Sequence, residues 1–314
     1  LLAFEEKSER MKHRRMKEIS REKYDMFLKS HEYVMIDNVR VRLIRQWKIQ
    51  HIQPSSFSPE EWSVWSFPER GDWATHTGNY RGNWSPFIPR NLILKYTAEG
   101  DLVCDPMMGS GTTMVECKLT NRNGVGVDIN PSSVIVAMNR LDFDFKMQSG
   151  NSKEPQIRLF TGDARNLDQI EDETVDLVAA HPPYAGIISY SRSGVPGDLS
   201  SLKFEDFMQQ MGMVADECFR ILKPGKHCAV LIGDTRKHRH YVPISIGVLN
   251  AFLASGFVLK EEIIKLQHNT LTSRGRWSGH RYDFYKIGHE HLYIFRKLDR
   301  DEKENTFRNS RKWW

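Results

Sequence analysis

Three aspartates stand where a short apolar run gives way to a turn. Asp105 follows Leu102-Val103-Cys104, Asp128 follows Gly124-Val125-Gly126-Val127, and Asp163 follows Phe160-Thr161-Gly162. One carboxylate at such a place fits an ordinary helix cap. Three at the carboxyl ends of three successive strands, on one edge of a sheet, point to a ligand with several hydrogen-bond donors. Asp105 opens DPMMGSGTT (105–113), in which Gly109 and Gly111 remove the Cβ atoms that would keep backbone away from a nucleotide-like ligand. Two glycines alone fit any strand-to-helix turn equally well. Asp128, ending the second strand, can accept both hydroxyls of a ribose. No Gly-Lys-Ser/Thr follows, which argues against a nucleoside triphosphatase. A fourth element, His181-Pro182-Pro183-Tyr184, follows another apolar run. A neutral histidine accepts one hydrogen bond there and a prolyl carbonyl can accept another.

Taken in this order, 105–113, 124–128 and 181–184 resemble the S-adenosylmethionine-dependent amino-methyltransferases of DNA. These methylate cytosine N4 or adenine N6, with a cofactor motif D-P-F-x-G-S-G-T and a catalytic motif (D/N/S)-P-P-(Y/F). The resemblance runs from about Gly71 to Lys297 and departs from the pattern at Met107 and at His181. It implies S-adenosyl-L-methionine as cofactor. Asp105 and the 109–111 backbone would hold the methionine end, with Thr75 to Arg81 closing over it; Asp128 would take the ribose and Asp163 the adenine amino group. The full cofactor set is Thr75, Asp105, Pro106, Met107, Gly109, Ser110, Gly111, Thr112, Asp128, Ile129, Asp163 and Ala164.

The resemblance also implies the catalytic residues His181, Pro182, Pro183 and Tyr184. An exocyclic amino group delocalises its lone pair into the ring. Two acceptors aimed at its hydrogens, the His181 side chain and the Pro182 carbonyl, would localise that pair for attack on a methyl group. Tyr184 would stack on a base turned out of the duplex. No covalent intermediate is needed, so neither a catalytic cysteine nor a metal is expected. If His181 must accept, activity should fall below its pKa, and a flat profile from pH 5.5 to 8 would count against that role. The run Tyr184 to Tyr190 matches a Y-x-G-x-x-x-Y continuation of cytosine-N4 enzymes, so the expectation leans to cytosine N4 over adenine N6.

The elements that must position these groups follow from the patterning. Strands are expected at 101–105, 124–128, 157–161, 175–180, 227–232, 257–266 and 291–296. Helices are expected near 112–120, 131–141, 164–170, 203–222 and 242–255, with Pro89 opening another through Tyr96. Alternation of strand and helix predicts an α/β fold with a mainly parallel sheet and helices on both faces. Seven strands, the last two joined without a helix, resemble the class I (Rossmann-like) methyltransferase sheet. Residues 1–70 read as a basic helical extension, 71–298 as the catalytic domain with a small target-recognition insertion at 267–290, and 299–314 as a poorly ordered charged tail ending in Trp313-Trp314. Residues 7–23 carry eight Lys/Arg against three Glu. Ser58-Pro59-Glu60-Glu61 has the cap, proline and acid of a helix start.

At 314 residues and 39% hydrophobic content the chain can bury a sizeable core. It has no apolar run able to span a membrane, and four cysteines without metal spacing suit a reducing cytoplasm. The net charge of +5 favours polyanions only mildly. Tyr190, Arg236, Arg274, Arg276, Trp277, Arg281 and Tyr282 are the candidate nucleic-acid contacts, arginines beside aromatics in loops. The expected partner is duplex DNA with a flipped base, with a homodimer or a recognition subunit as a further partner, in a restriction–modification or related defence system. Two alternatives stay open: an RNA methyltransferase of the tRNA guanine-N2 type, and a non-catalytic nucleic-acid-binding subunit of a heteromeric methyltransferase.

Overall fold

The computed structural model describes residues 13–36, 39–80, 82–145, 154–184, 195–268 and 283–311. Its centre is a mixed sheet. Strands β5 (Leu102–Asp105), β6 (Asn123–Asp128), β7 (Ile157–Thr161), β8 (Val175–Ala180) and β9 (Leu222–Ile232) run parallel. Strand β13 (His289–Arg296) is antiparallel to β9 and to β12 (Val258–Leu266). The seven expected strands thus lie in the order β7-β6-β5-β8-β9-β13-β12. β5, at which chain direction across the sheet reverses, carries the glycine loop. Ligands of open α/β sheets bind at such a switch point.

Alternation along the strands sends successive side chains to opposite faces. Cys104, Val178, Val230 and Phe295 pack against helices α5 (Phe204–Ile221) and α6 (Ile244–Ala254), through Phe207, Met211, Val248 and Phe252. Val103, Leu177, Leu231 and Ile294 pack on the other side against α2 (Phe87–Tyr96), α3 (Thr112–Leu119) and α4 (Pro131–Leu141). All four cysteines are free and buried, as small core residues. No described helix is long and apolar enough to cross a membrane.

The structure corrects the reading of residues 1–70 as helical. Among the described residues the segment has one α-helix, α1 (Arg21–Ser30), beside the hairpin β2 (Tyr33–Ile36) and β3 (Val39–Arg42). It also adds a strand to each edge of the sheet: β1 (Lys17–Glu18) pairs with β7 and β4 (Val64–Ser66) with β12. The sheet therefore has nine strands rather than seven. No helix starts at Ser58, because the Glu60 amide donates to Asn91 Oδ1 at 2.7 Å, a tertiary bond that displaces the capped turn. Residues 164–170 are turns instead of a helix; Asp163 Oδ1 takes the Arg165 amide at 3.0 Å and folds the chain back on itself. The tail forms a short 3-10 helix at Glu304–Ser310, with Phe307 under the Arg296 guanidinium; Trp313 and Trp314 lie outside the described residues.

Candidate active site

A single cleft opens at the carboxyl ends of β5, β6, β7 and β8, and about 780 Å³ of empty space lies within it, counted out to its mouth. Pro106, Met107 and Gly109 from the glycine loop, Asp128 and Ile129 after β6, Asp163 and Ala164 after β7, and His181, Pro182 and Pro183 after β8 all line it. Ten of the sixteen residues expected for cofactor and catalysis therefore meet in one cavity.

Local chemistry shapes the loop. Asp105 is buried and accepts the Met107 amide at 3.1 Å and the Thr113 hydroxyl at 2.5 Å, so it ties the loop to the first turn of α3. Burial pushes it up to about 7. The Gly109 amide donates to Asp128 Oδ2 at 2.9 Å and the Asn130 amide to Oδ1 at 2.8 Å. Burial, with Asp198 adding repulsion, raises Asp128 to about 7 against the pull of those two amides. Gly109 has φ +53° on the cleft wall, facing the Tyr80 ring.

Gly111 serves packing instead. It has φ +80°, and a Cβ there would lie 2.8 Å from Ala137 Cβ on α4. Gly111→Ala combines a left-handed alanine with overpacking, and we expect it to destabilise the protein by about 2–4 kcal/mol. Urea unfolding measures this; a loss below about 1 kcal/mol would contradict it.

Several expected residues support the cleft without lining it. Thr75 Oγ1 donates to the Arg140 carbonyl at 2.6 Å, and Arg140 Nη1 donates to Ser110 Oγ at 2.6 Å. Thr112 bonds the Asn83 side chain. Together they clip the 71–84 segment to the glycine loop. Asp163, which does line the cleft, has its carboxylate held by Arg165, whose Nε and Nη2 reach its two oxygens at 2.8 and 2.6 Å. Tyr184 is buried and does not line the cleft; its hydroxyl bonds instead to Glu290 Oε1 and His181 Nε2. Arg236 sits away from the cleft on the hairpin β10 (Thr235–Lys237) and β11 (His240–Val242), its guanidinium over Phe284. Tyr190, Arg274, Arg276, Trp277, Arg281 and Tyr282 lie outside the described residues.

His181 stacks on Trp84, with ring centroids 5.7 Å apart. Burial lowers its pKa to about 4; Lys265 and Arg70 act in the same direction, and Glu290 and the Gly82 carbonyl against it. It is therefore neutral, and able to accept, across pH 5.5–8. A flat profile over that range is now the expected behaviour of an accepting His181, and its acid limb moves to about pH 4.

The sequence reading missed Gly82, Asn130, Ser133, Val195, Gly197, Asp198 and Leu199 in the lining, while Tyr80, also there, belongs to the 75–81 segment named above. The Tyr80 hydroxyl bonds Ser133 Oγ at 2.8 Å across the mouth. Asn130 was legible only as the cap of α4. Residues 195–199 fall in a Ser/Gly-rich stretch that carries no motif. Among the described residues no cluster of His, Cys, Asp and Glu is placed to hold a metal ion.

A family model described as DNA methylase, of the N6/N4 class, matches residues 3–139 and 175–312. The type II methyltransferase M.HpaI of Haemophilus parainfluenzae is 48% identical over 54 residues, 17% of this chain and 17% of its own. M.MjaI of Methanocaldococcus jannaschii, also a type II methyltransferase, is 28% identical over 143 residues, 39% of this chain and 46% of its own. The chain thus spans less than half the length of these curated relatives. A SAM-dependent methyltransferase structure from Methanosarcina mazei aligns with TM-score 0.46 at 15% identity, over 66% of this chain and 97% of that one.

Proposed function

Because this chain belongs to the N6/N4 DNA methylase family, we propose that it is an amino-methyltransferase that methylates an exocyclic amino group of a base in DNA, as part of a restriction–modification system. One observation carries the proposal: the glycine loop, Asp128 and the His181-Pro182-Pro183 turn line one cleft. S-adenosyl-L-methionine suits this lining. Gly109 leaves backbone bare on the wall, Asp128 is a half-buried acceptor beside it, and Pro106, Met107 and Ile129 offer apolar surface. The bound cofactor supplies the methyl group.

The residues then divide the work. Asp128 orients the ribose, and the loop it pins positions the methionine end. Asp163 is proposed to receive the adenine amino group with Arg165 fixing its carboxylate plane. Neutral His181 and the Pro182 carbonyl accept hydrogen bonds from the target amino group, pulling its lone pair out of the ring. The cleft is walled by folded protein, so a base inside a duplex reaches it only by leaving the stack. The 184–190 run favours cytosine N4.

Incubation of the protein with labelled S-adenosylmethionine and mixed-sequence duplex DNA or total tRNA, followed by nucleoside mass spectrometry, tests the proposal. N4-methylcytosine is the expected product. N6-methyladenine would overturn the choice of base, and methylguanosine in tRNA alone would overturn the substrate class.

The raised Asp128 predicts how cofactor affinity depends on pH. The ribose hydroxyls need the ionised carboxylate, which becomes scarce as pH falls through about 7. We expect calorimetry to show affinity dropping about tenfold per pH unit below that point, since one pKa unit is about 1.4 kcal/mol. Asp128→Asn should bind weakly with the slope flattened. An unchanged slope would remove Asp128 from the ribose.

A further inference from the structure

Beneath the catalytic turn lies a carboxylate that belongs to no motif. Glu290, on β13, is buried, and the register of β12 and β13 sets it opposite Lys265. Lys265 Nζ donates to Glu290 Oε2 at 2.8 Å, the Tyr184 hydroxyl donates to Oε1 at 2.6 Å, and the same hydroxyl oxygen lies 3.0 Å from His181 Nε2.

The chain of bonds constrains where each proton can be. Burial would raise Glu290, but Lys265, His181 and the Tyr184 hydroxyl together outweigh that, and the carboxyl stays ionised and below its usual range. An ionised carboxylate only accepts. Tyr184 has one hydroxyl proton, so that proton lies towards Glu290. The remaining bond to His181 then forms only with Nε2–H as donor, which leaves the lone pair of the neutral ring on Nδ1.

We propose that Glu290, held ionised by Lys265 and acting through the Tyr184 hydroxyl, sets the proton of His181 so that this imidazole takes up the proton released by the methylated amino group. The proposal rests on the functional reading above. The amino nitrogen forms its bond to the methyl carbon as the carbon–sulfur bond breaks, the sulfur keeping that pair. The nitrogen is then cationic. It passes one proton to His181 Nδ1, and the N–H pair returns to nitrogen. The resulting imidazolium has a Glu290 carboxylate one hydroxyl away and the Gly82 carbonyl beside the ring, while Lys265 and Arg70 oppose its charge. The ring is thus neutral at rest, yet compensated when charged. Glu290 and Lys265 are positioning residues.

The test uses the full chain labelled with 15N-histidine, with the His181 signals identified by their loss in His181→Asn. Wild-type protein should show neutral His181 protonated on Nε2 above pH 5.5. Glu290→Gln should lower the His181 midpoint and Lys265→Met should raise it, opposite signs that a merely structural network would not give. Methyl transfer at saturating cofactor should slow by about tenfold or more in Tyr184→Phe and in Glu290→Gln. The double variant should be no slower than the slower single, as expected of residues acting in one chain. Tyr184→Phe changes no volume beyond the hydroxyl, so it carries the kinetic test if Glu290→Gln fails to fold. A proton on Nδ1 in the wild type, midpoints shifting the same way, or additive losses would overturn the relay. If even the wild type transfers nothing, the functional reading fails while the resonance data still decide the relay.

Discussion

Replacing His181 by alanine should reduce methyl transfer by about a hundredfold or more, while cofactor affinity stays within a few-fold. The turn offers the target amino group two acceptors, the imidazole and the Pro182 carbonyl, and alanine removes one. Positioned groups of this kind contribute roughly 10²–10⁴-fold. His181→Asn puts a carbonyl acceptor in the same place but cannot take up the released proton, so it should recover only part of the loss. With cofactor saturating, the wild-type rate should be flat from pH 5.5 to 8 and fall towards a midpoint near 4, where the half-buried imidazole protonates. Single-turnover rates measure all three. An alanine variant within threefold of wild type would remove His181 from the chemistry.

The second large effect concerns stability. Glu116, on α3, is fully buried and accepts Trp73 Nε1 at 2.7 Å, His76 Nε2 at 2.7 Å and Arg90 Nη1 at 2.9 Å. His76 is itself buried, and burial lowers its pKa, so it donates as a neutral ring. Glu116→Ala strands the Arg90 charge with Gln53 as its remaining side-chain partner and leaves two ring N–H groups unmet. Breaking such a pair costs about 3–5 kcal/mol, which for a domain of this size lowers the melting temperature by roughly 10 °C. The 71–84 segment carries Trp73 and His76 as well as Tyr80 and Gly82 on the cleft, so cofactor affinity should weaken too. Glu116→Gln keeps the shape and should lose less. Calorimetric melting checks the order; a loss under about 1 kcal/mol for alanine would show that the network contributes nothing net.

The sequence carried the sheet and the motif ends of the site because both depend on local pattern. Short apolar runs such as 177–180 read as interior strands, and chemistry placed just after them must fall on one sheet edge. The support was not legible. Arg165 closing on Asp163 has sequence proximity, but nothing in the pattern says that its guanidinium folds back. Glu116 meets residues 26 to 43 positions away, and Arg140 reaches Ser110 and Thr77 across the fold. The edge strands 17–18 and 64–66 are too short to show a period of two. The Ser58 cap is a good local signal that lost to a tertiary bond from Asn91. Glu290 fell at the end of the expected 267–290 insertion, one position before the expected final strand, and no pattern marked it.

The proposed activity depends on S-adenosylmethionine entering the cleft between the glycine loop and His181. Hydrogen-exchange mass spectrometry of the full chain with and without the cofactor tests this directly. Amides at 107–111, 128–134 and 195–199 should be protected together, because these stretches wall the same cavity. Protection that spares the glycine loop, or falls instead on the separate cleft near Glu18 and Met138, would contradict the assignment.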